Sequence, residues 1–244
     1  MARMVPAPFP DDSRPVVLDR REGPHGEVVL RRHGALLQII ANGCFLMDTS
    51  DGRSERLLVS AALGELPVPP AGHAGHAAPA LLIGGLGVGF SLAEAAAEPR
   101  WGRITVVERE QAIIDWHRAG PLAGLTDGAR NDPRTELVHA ELASYLRAPG
   151  PRYDALCLDI DNGPDWTVTP DNDGLYSPAG LAACRDRLAP GGVLAIWSAR
   201  PSDDFPRHLR NAGFGNVRTR EVPVARGVPD VLFLASHHLA RQSA

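Results

Sequence analysis

A cluster of glycines and a later glutamate are the first residues in this chain whose types and spacing suggest chemistry. An apolar run at 80–83 ends in the sequence GGLGVG, and a second apolar run ends in an acid at position 108. Glycine lets a backbone turn sharply and approach a ligand closely, and an acid placed this way can accept hydrogen bonds from ribose hydroxyls. The predicted nucleoside-binding residues are Gly84, Gly85, Gly87, Gly89 and Glu108.

A second group of acids follows later apolar runs. Glu141 comes after the run at 135–139 and Asp159 ends the run at 155–159. The segment 153–184 carries no lysine or arginine, and its carboxylates would attract a cationic substrate and could take a proton from an attacking ammonium group. A solvated acidic loop is the alternative interpretation. The aspartates of this segment are Asp154, Asp159, Asp161, Asp165, Asp171 and Asp173.

The elements that must position these residues alternate between strand and helix from residue 80 onward. Such alternation predicts a mostly parallel sheet with helices on both faces. The last two strand-like runs, 216–224 and 231–237, are too close for a helical crossover and must pair as an antiparallel hairpin. The earlier strand-like runs cover 81–84, 104–107, 135–139, 155–159 and 193–197, and the helical stretches cover 91–98, 111–119, 141–147 and 177–188.

The first 79 residues predict a different organisation. Residues 1–15, rich in proline and aspartate, are expected to be a mobile arm, and 67–79 a linker. Between them, 16–66 predicts a small β-rich unit closed by a helix that Ser54 would cap. Its strand-like runs are 16–18, 27–32, 36–41 and 44–48, with an Asn-Gly pair at 42–43 as the strongest hairpin signal.

Composition excludes several function classes. All 25 basic residues are arginine, so no Schiff base or phosphate-loop lysine is possible. A net charge of −4 gives no reason to expect a nucleic-acid partner. The apolar runs are too short to span a membrane, and His73 with His76 lacks further ligands for a metal. Cys44, Cys157 and Cys184 lie in apolar runs and are expected to be buried and reduced, which predicts a cytoplasmic protein.

The glycine spacing and the closing hairpin together indicate the cofactor. Dinucleotide sites usually show G-x-G-x-x-G, whereas the glycines here stand at 85, 87 and 89. The whole pattern resembles the Rossmann-like class I methyltransferase fold, an α/β fold whose mostly parallel sheet ends in an antiparallel strand. The predicted co-substrate is S-adenosylmethionine or its decarboxylated form, without a metal. Glu141 would accept from the adenine amino group, its alternative role being a helix N-terminal acid.

The chain then resembles the spermidine synthase (polyamine aminopropyltransferase) family over about residues 25–237. The likeness lies in QIIANG at 38–43, RSE at 53–55, the glycine loop, VVE at 106–108 and ALCLD at 155–159. It implies transfer of an aminopropyl group from decarboxylated S-adenosylmethionine to a small cationic amine, in a homodimer. It implies a catalytic role for Asp159, as the base, and for Asp161. The substrate-binding residues it implies are Glu55, Asn162, Asp165 and Tyr176.

The sequence also departs from this family. The glycine loop lacks the family's internal acid, SERL occupies 54–57 where the family has a Tyr-His/Gln-Glu run, and the acidic gate is DIDNGP at 159–164. Two other functions therefore stay open. One is methyl transfer from ordinary S-adenosylmethionine, and the other is non-catalytic nucleoside binding.

Overall fold

The computed structural model of this protein describes residues 14–67, 78–160, 162–165, 174–224 and 227–237. Several predictions fall elsewhere: most of the arm and of the linker with His73 and His76, and also Asp161, lie outside the described residues. The chain divides into two compact units, the first ending at Ser50 and the second beginning at Asp51.

The first unit is a four-stranded antiparallel sheet in sequential order. Asn42 and Gly43 connect its last two strands with φ angles of 51° and 78°. Two successive left-handed residues are what a two-residue hairpin turn requires, and Asn-Gly supplies them at low cost. The hairpin predicted there is confirmed by the pairing of Ala41 with Cys44. The strands are β1 (Val16–Gly23), β2 (Gly26–His33), β3 (Leu36–Ala41) and β4 (Cys44–Asp48).

The second unit contains a seven-stranded sheet. Its strands are β5 (Ala80–Gly84), β6 (Arg103–Glu108), β7 (Thr135–His139), β8 (Tyr153–Leu158), β9 (Leu188–Ser198), β10 (Phe214–Val222) and β11 (Asp230–His237). Their order is β10-β11-β9-β8-β5-β6-β7. β5 to β9 pair in parallel, whereas β11 is antiparallel to both of its neighbours. The predicted fold class, including the antiparallel end, is confirmed.

The helices of the second unit are α1 (Arg53–Glu65), α2 (Phe90–Ala97), α3 (Gln111–Ala119), α4 (Ala123–Arg130), α5 (Leu142–Arg147), α6 (Pro178–Arg187) and α7 (Phe205–Asn211). The sequence analysis found neither α4 nor α7. Two glycines lower the helix propensity of α4, and α7 is only 7 residues long. α6 begins where Ser177 accepts the N–H of Gly180 and a proline opens the first turn, the usual signals of a helix start.

Helix α1 lies in the second unit, although the sequence analysis grouped it with the first. It packs against α2 and against the strands β8, β9 and β11. The predicted cap at Ser54 is wrong, because the N-cap is Gly52, two residues earlier, and the helix begins at Arg53. The Ser54 hydroxyl instead bonds to Asp230 of β11. A long-range partner has replaced the local one.

The core of the second unit lies between its central strands and the helices. Residues 81–83 of β5, 155–158 of β8 and 193–196 of β9 are almost completely buried, as expected for parallel strands covered on both faces. Two cysteines, Cys157 and Cys184, are buried free thiols as predicted. Cys44 is exposed, which corrects its prediction: it sits at the start of β4 directly after a tight turn, where an apolar neighbourhood in sequence does not ensure burial.

Candidate functional site

The carboxyl ends of β5, β6 and β8 bring the predicted residues to one edge of the sheet. Gly84 ends β5, Glu108 ends β6, and Asp159 follows β8 directly. The Asp159 N–H donates to the Gly84 carbonyl at 3.0 Å, and the Gly85 N–H donates to the Val107 carbonyl at 2.9 Å. Ligands of open α/β sheets bind in the crevice beyond these strand ends.

The glycine loop, residues 84–89, has a backbone that other residues would not tolerate. Gly85, Gly87 and Gly89 have φ angles of 89°, 50° and 95°. A Cβ atom on Gly85 would lie 2.3 Å from the Asp159 carbonyl oxygen, and one on Gly84 would lie 2.5 Å from Cδ2 of Leu142. Glycine is therefore needed for both conformation and space at this edge.

Glu108 is buried and binds the loop itself. Its Oε2 accepts the Leu86 N–H at 2.9 Å and its Oε1 accepts the Glu110 N–H at 2.8 Å. Burial raises the pKa of Glu108, although these two backbone N–H groups act in the opposite direction. Each carboxylate oxygen has further acceptor capacity, so a ribose hydroxyl could bind beside the loop contact. The ribose role itself stays a prediction.

Glu141 caps helix α5. Its carboxylate accepts the N–H groups of Ala143 and Ser144 at 2.7 and 2.6 Å. Burial acts to raise the pKa of Glu141, but the bonds from Ser144 and Ala143 outweigh burial and lower it. These contacts favour the alternative role of Glu141 as an acid at a helix N-terminus. Contact with adenine stays a prediction.

Asp159 lies within a cluster of carboxyl groups. Burial raises the pKa of Asp159 well above its ordinary value, and the nearby charges of Glu55 and Asp230 add to this effect. Glu55, on α1, is only 7% exposed, and its own pKa is raised mainly by burial. The fold therefore places Glu55, predicted to bind substrate, in the electrostatic neighbourhood of Asp159. Arg53 is a nearby cation, and it pairs with Asp51 at 2.6 Å.

Ser54 joins two of these carboxyl groups. Its Oγ lies 2.7 Å from Oδ2 of Asp230 and 3.0 Å from Oε2 of Glu55. A hydroxyl has one proton and can donate to only one carboxylate at a time. Burial also raises the pKa of Asp230. The three side chains form a compact acidic group beside Asp159, which we call the carboxyl cluster (Ser54, Glu55, Asp159, Asp230).

Two of the other predicted substrate residues, Asp165 and Tyr176, line a cavity. Asn162 is buried, and its backbone carbonyl accepts the Ala199 N–H at 3.1 Å. Asp165 accepts a bond from Arg200 through its backbone carbonyl, at 2.6 Å. Asp165 and Tyr176 line a cavity of about 690 Å³ beside α6 and α7. The polar residues lining this cavity are Asp165, Tyr176, Ser177, His208 and Asn211.

Sequence reasoning missed three residues at this edge. Asp230 lies at the start of β11, far from Asp159 in the chain, and no local motif marks it. His117 on α3 bonds to Thr126 on α4 and to the carbonyl oxygen of Gly87 in the glycine loop. A buried histidine inside an amphipathic helix gives no signal of its partner, and α4 itself was not predicted.

No group of three or more possible metal ligands occurs among the described residues. In the same part of the chain, none of the helices has the length and apolar character needed to cross a membrane.

The strand order, the antiparallel last strand and the glycine loop at the end of β5 define an α/β protein of the class I methyltransferase-like type. Comparisons with known proteins agree. The chain is similar to the polyamine aminopropyltransferase of Mycobacterium tuberculosis strain H37Rv, with 28% identity over 189 residues, which are 76% of this chain and 33% of that protein. It is 32% identical over 122 residues to polyamine aminopropyltransferase 1 of Streptomyces coelicolor, 50% of this chain and 22% of that protein.

The chain is also similar to proteins named as methyltransferases. Putrescine N-methyltransferase 2 of Nicotiana tabacum is 30% identical over 147 residues, 58% of this chain and 37% of that protein. No protein-family model matches the chain. The matches span about a third or less of the first two relatives.

Solved structures show the same fold. A crystal structure of spermidine synthase in complex with the transition-state analogue AdoDATO matches with a TM-score of 0.75 and 19% identity, covering 92% of this chain and 75% of that one. Spermidine synthase from Thermotoga maritima matches with a TM-score of 0.71 and 18% identity, covering 92% and 73%. The resemblance to the spermidine synthase family inferred from the sequence is confirmed by these names and this fold.

Proposed function

We propose that this protein transfers an aminopropyl group from decarboxylated S-adenosylmethionine to a small cationic amine. The observation that carries the proposal is the position of Asp159, a carboxyl group at the end of β8, next to the glycine loop and within an acidic cluster. The similarity to proteins named polyamine aminopropyltransferase supports it.

The chemistry requires a proton acceptor beside the reacting carbon. An ammonium group has no lone pair, so the acceptor amine must lose a proton before its nitrogen attacks. As the new carbon–nitrogen bond forms, the carbon–sulfur bond breaks, and the sulfonium becomes the neutral thioether of methylthioadenosine. Asp159 takes the proton. Its raised pKa makes it a better match for this proton than an ordinary aspartate would be.

The proposed binding roles follow from position. Gly84, Gly85, Gly87 and Gly89 would let the backbone approach the nucleoside, Glu108 would accept from the ribose, and Glu141 would accept from adenine. Glu55 would attract the ammonium group of the acceptor. The further proposed residues are Asp161 for catalysis and Asn162, Asp165 and Tyr176 for substrate binding.

Methyl transfer to an amine is the second candidate function. Two observations favour it: the glycine loop contains no acid, and relatives named putrescine N-methyltransferase match 58% of the chain. A loop without an acid does not repel the carboxylate of ordinary S-adenosylmethionine. Asp159 would then accept the proton from the amine that receives the methyl group.

Calorimetry with S-adenosylmethionine, its decarboxylated form and methylthioadenosine separates these functions. We expect the decarboxylated compound to bind at least about tenfold more tightly than the carboxylated one, because the carboxylate, although not repelled by the loop, would be repelled by the carboxyl cluster. The opposite preference would replace aminopropyl transfer with methyl transfer. Failure of all three to bind would remove both. Binding without turnover of any amine in a panel would leave the non-catalytic alternative.

We also propose a homodimer that acts in the cytoplasm without nucleic-acid or membrane partners. The dimer follows from the family resemblance, and the compartment from the free cysteines. Sedimentation equilibrium of the purified chain tests the dimer, and a monomer at tens of micromolar would contradict it.

A further inference from the structure

His117 is completely buried, and both of its ring nitrogens are engaged. Its Nε2 lies 2.9 Å from the carbonyl oxygen of Gly87, and its Nδ1 lies 2.8 Å from Oγ1 of Thr126. His117 is 0% exposed and Thr126 is 1% exposed. The imidazole thus links the buried face of α3 to Gly87, in the middle of the glycine loop, and water does not reach it.

The partners of His117 determine where its proton lies. A carbonyl oxygen can only accept, so Nε2 must donate to Gly87, and Nδ1 of the neutral ring accepts the Thr126 hydroxyl. Burial lowers the pKa of His117, which favours this neutral form. The ring therefore has one tautomer and one orientation.

The loop is held at successive residues. Glu108 accepts the Leu86 N–H, His117 donates to the Gly87 carbonyl, and Gly89 donates its N–H to the Leu86 carbonyl at 2.9 Å. The methyl group of Thr126 occupies the space beside Gly89, since a Cβ there would lie 2.1 Å from Cγ2 of Thr126. Two side chains from helices behind the loop thus fix peptides whose glycines could otherwise adopt many conformations.

We propose that His117, oriented by Thr126, is a positioning residue for the glycine loop, which it holds in its ligand-ready conformation before a nucleoside arrives. The nucleoside part of this inference rests on the proposed function. Without the Nε2 donor, the half-buried Gly87 carbonyl loses its partner and the loop gains conformational freedom. A ligand would then have to order the loop on binding, which weakens affinity.

The test compares paired variants at two positions. His117→Met removes the donor at similar volume, whereas His117→Gln keeps an N–H group at the end of the side chain. Thr126→Val removes the hydroxyl at constant shape, whereas Thr126→Ser keeps it. Ile114→Val trims a buried side chain of the same helix that bonds to no loop residue, and it serves as the control for lost stability.

Amide hydrogen exchange by NMR is the first measurement, because it needs no ligand. We expect His117→Met to speed exchange at Leu86 and Gly89 at least about tenfold relative to Leu82 in β5. His117→Gln should restore most of the protection, and Thr126→Val should fall between them. The Kd for methylthioadenosine should rise about tenfold in His117→Met at unchanged concentration of folded protein.

Two results would overturn the positioning role. One is loop exchange in His117→Met that changes no more than in Ile114→Val. The other is a glutamine variant no better than methionine in both measurements. If the wild-type chain binds none of the three nucleosides, the proposed function fails, while the exchange data still decide whether His117 orders the loop.

Discussion

The two ends of the candidate site are built on different physical principles. At the nucleoside end, backbone groups of the glycine loop are paired with Glu108, with His117 and with each other, and left-handed glycines give the shape. At the acceptor end, burial raises the pKa values of Glu55, Asp159 and Asp230. The charges of Glu55 and Asp230 add to the shift of Asp159, and the cation Arg53 is paired with Asp51. The shape of the glycine loop is fixed by backbone geometry. The carboxyl cluster is instead a group of acids whose charge a bound cation would neutralise.

This difference predicts how each end responds to change. A preorganised loop should be sensitive to added atoms, because its shape depends on close backbone contacts, and its response to pH should come mainly from Glu108, whose pKa burial raises. A cluster of carboxyl groups should be sensitive to pH and to neutral replacements of the same shape. Four substitutions test this contrast.

The largest effect is expected from Asp159→Asn. Loss of the proton acceptor should reduce turnover about 10³-fold, while affinity for methylthioadenosine changes less than about threefold. Steady-state kinetics and calorimetry on the same preparation measure both. A loss of nucleoside affinity as large as the loss of turnover would show that Asp159 belongs to the nucleoside end instead.

Gly85→Ala should give the next largest effect. The added Cβ would meet the Asp159 carbonyl oxygen and sit on a backbone with φ of 89°, so the loop must shift at a cost of roughly 1–3 kcal/mol. We expect weaker nucleoside binding and a lower melting temperature. Gly64→Ala in α1 is the matched control: its Cβ meets nothing within 4 Å, and alanine should stabilise the helix. Equal effects of the two variants would contradict the argument.

The pH dependence of stability tests the acceptor end. An acid whose pKa is higher in the folded chain than in the unfolded chain stabilises the fold in its protonated form. That stability is present below the unfolded value and is lost as the pH rises through the folded pKa. Asp159, Glu55 and Asp230 all shift in this direction. Stability contributed by the cluster should therefore fall from acidic to neutral pH.

Asp230→Asn should reduce that fall. Removing one charge should make the drop in melting temperature from pH 5 to pH 8 smaller than in the wild type. The difference between the two drops should be on the order of 2 °C. Thermal denaturation at both values measures it, with Asp186→Asn, an exposed acid, as control. A wild-type profile parallel to that of Asp230→Asn would mean that the carboxyl groups do not interact.

The smallest effect is expected from Ser54→Ala. It removes the hydroxyl between Glu55 and Asp230 and should lower the free energy of unfolding by about 1 kcal/mol, with little change in nucleoside affinity. Ser60→Ala, on the exposed face of the same helix, should change it by less than about 0.5 kcal/mol. Urea denaturation distinguishes them, and identical curves would show that the bridge is energetically irrelevant.

The parts of the site that could be predicted are those encoded locally. Gly85, Gly87 and Gly89 are recognisable because their backbone requires glycine, and Glu108 because it ends an apolar strand in a βαβ unit. Asp230 and His117 could not be found this way, since their importance comes from partners that are distant in the chain. Ser54 shows the same limit: its residue type favours a helix cap, but its hydroxyl donates to the half-buried Asp230 on β11.

The predicted substrate-binding residues lie in different places in the fold. The charge of Glu55 adds to the effect of burial on the pKa of Asp159, whereas Asp165 and Tyr176 line the cavity beside α6 and α7. The substrate roles of all three stay predictions. Glu141 has the contacts of a helix cap, and its adenine role also stays a prediction. A family resemblance assigns roles to residues by their position in the sequence. That position alone does not show which side chains lie close together in the fold.

The sequence by itself determined the class of fold, the antiparallel end of its sheet, and the position of the glycine loop and Glu108 at the ends of two strands. Apolar periodicity, turn chemistry and the conformational freedom of glycine act over a few residues and leave a trace in the sequence. The tertiary structure alone decided which acids gather around Asp159, which unit receives α1 and which histidine holds the loop. Packing brings together residues far apart in the chain, and their mutual electrostatic effects and hydrogen bonds exist only after burial.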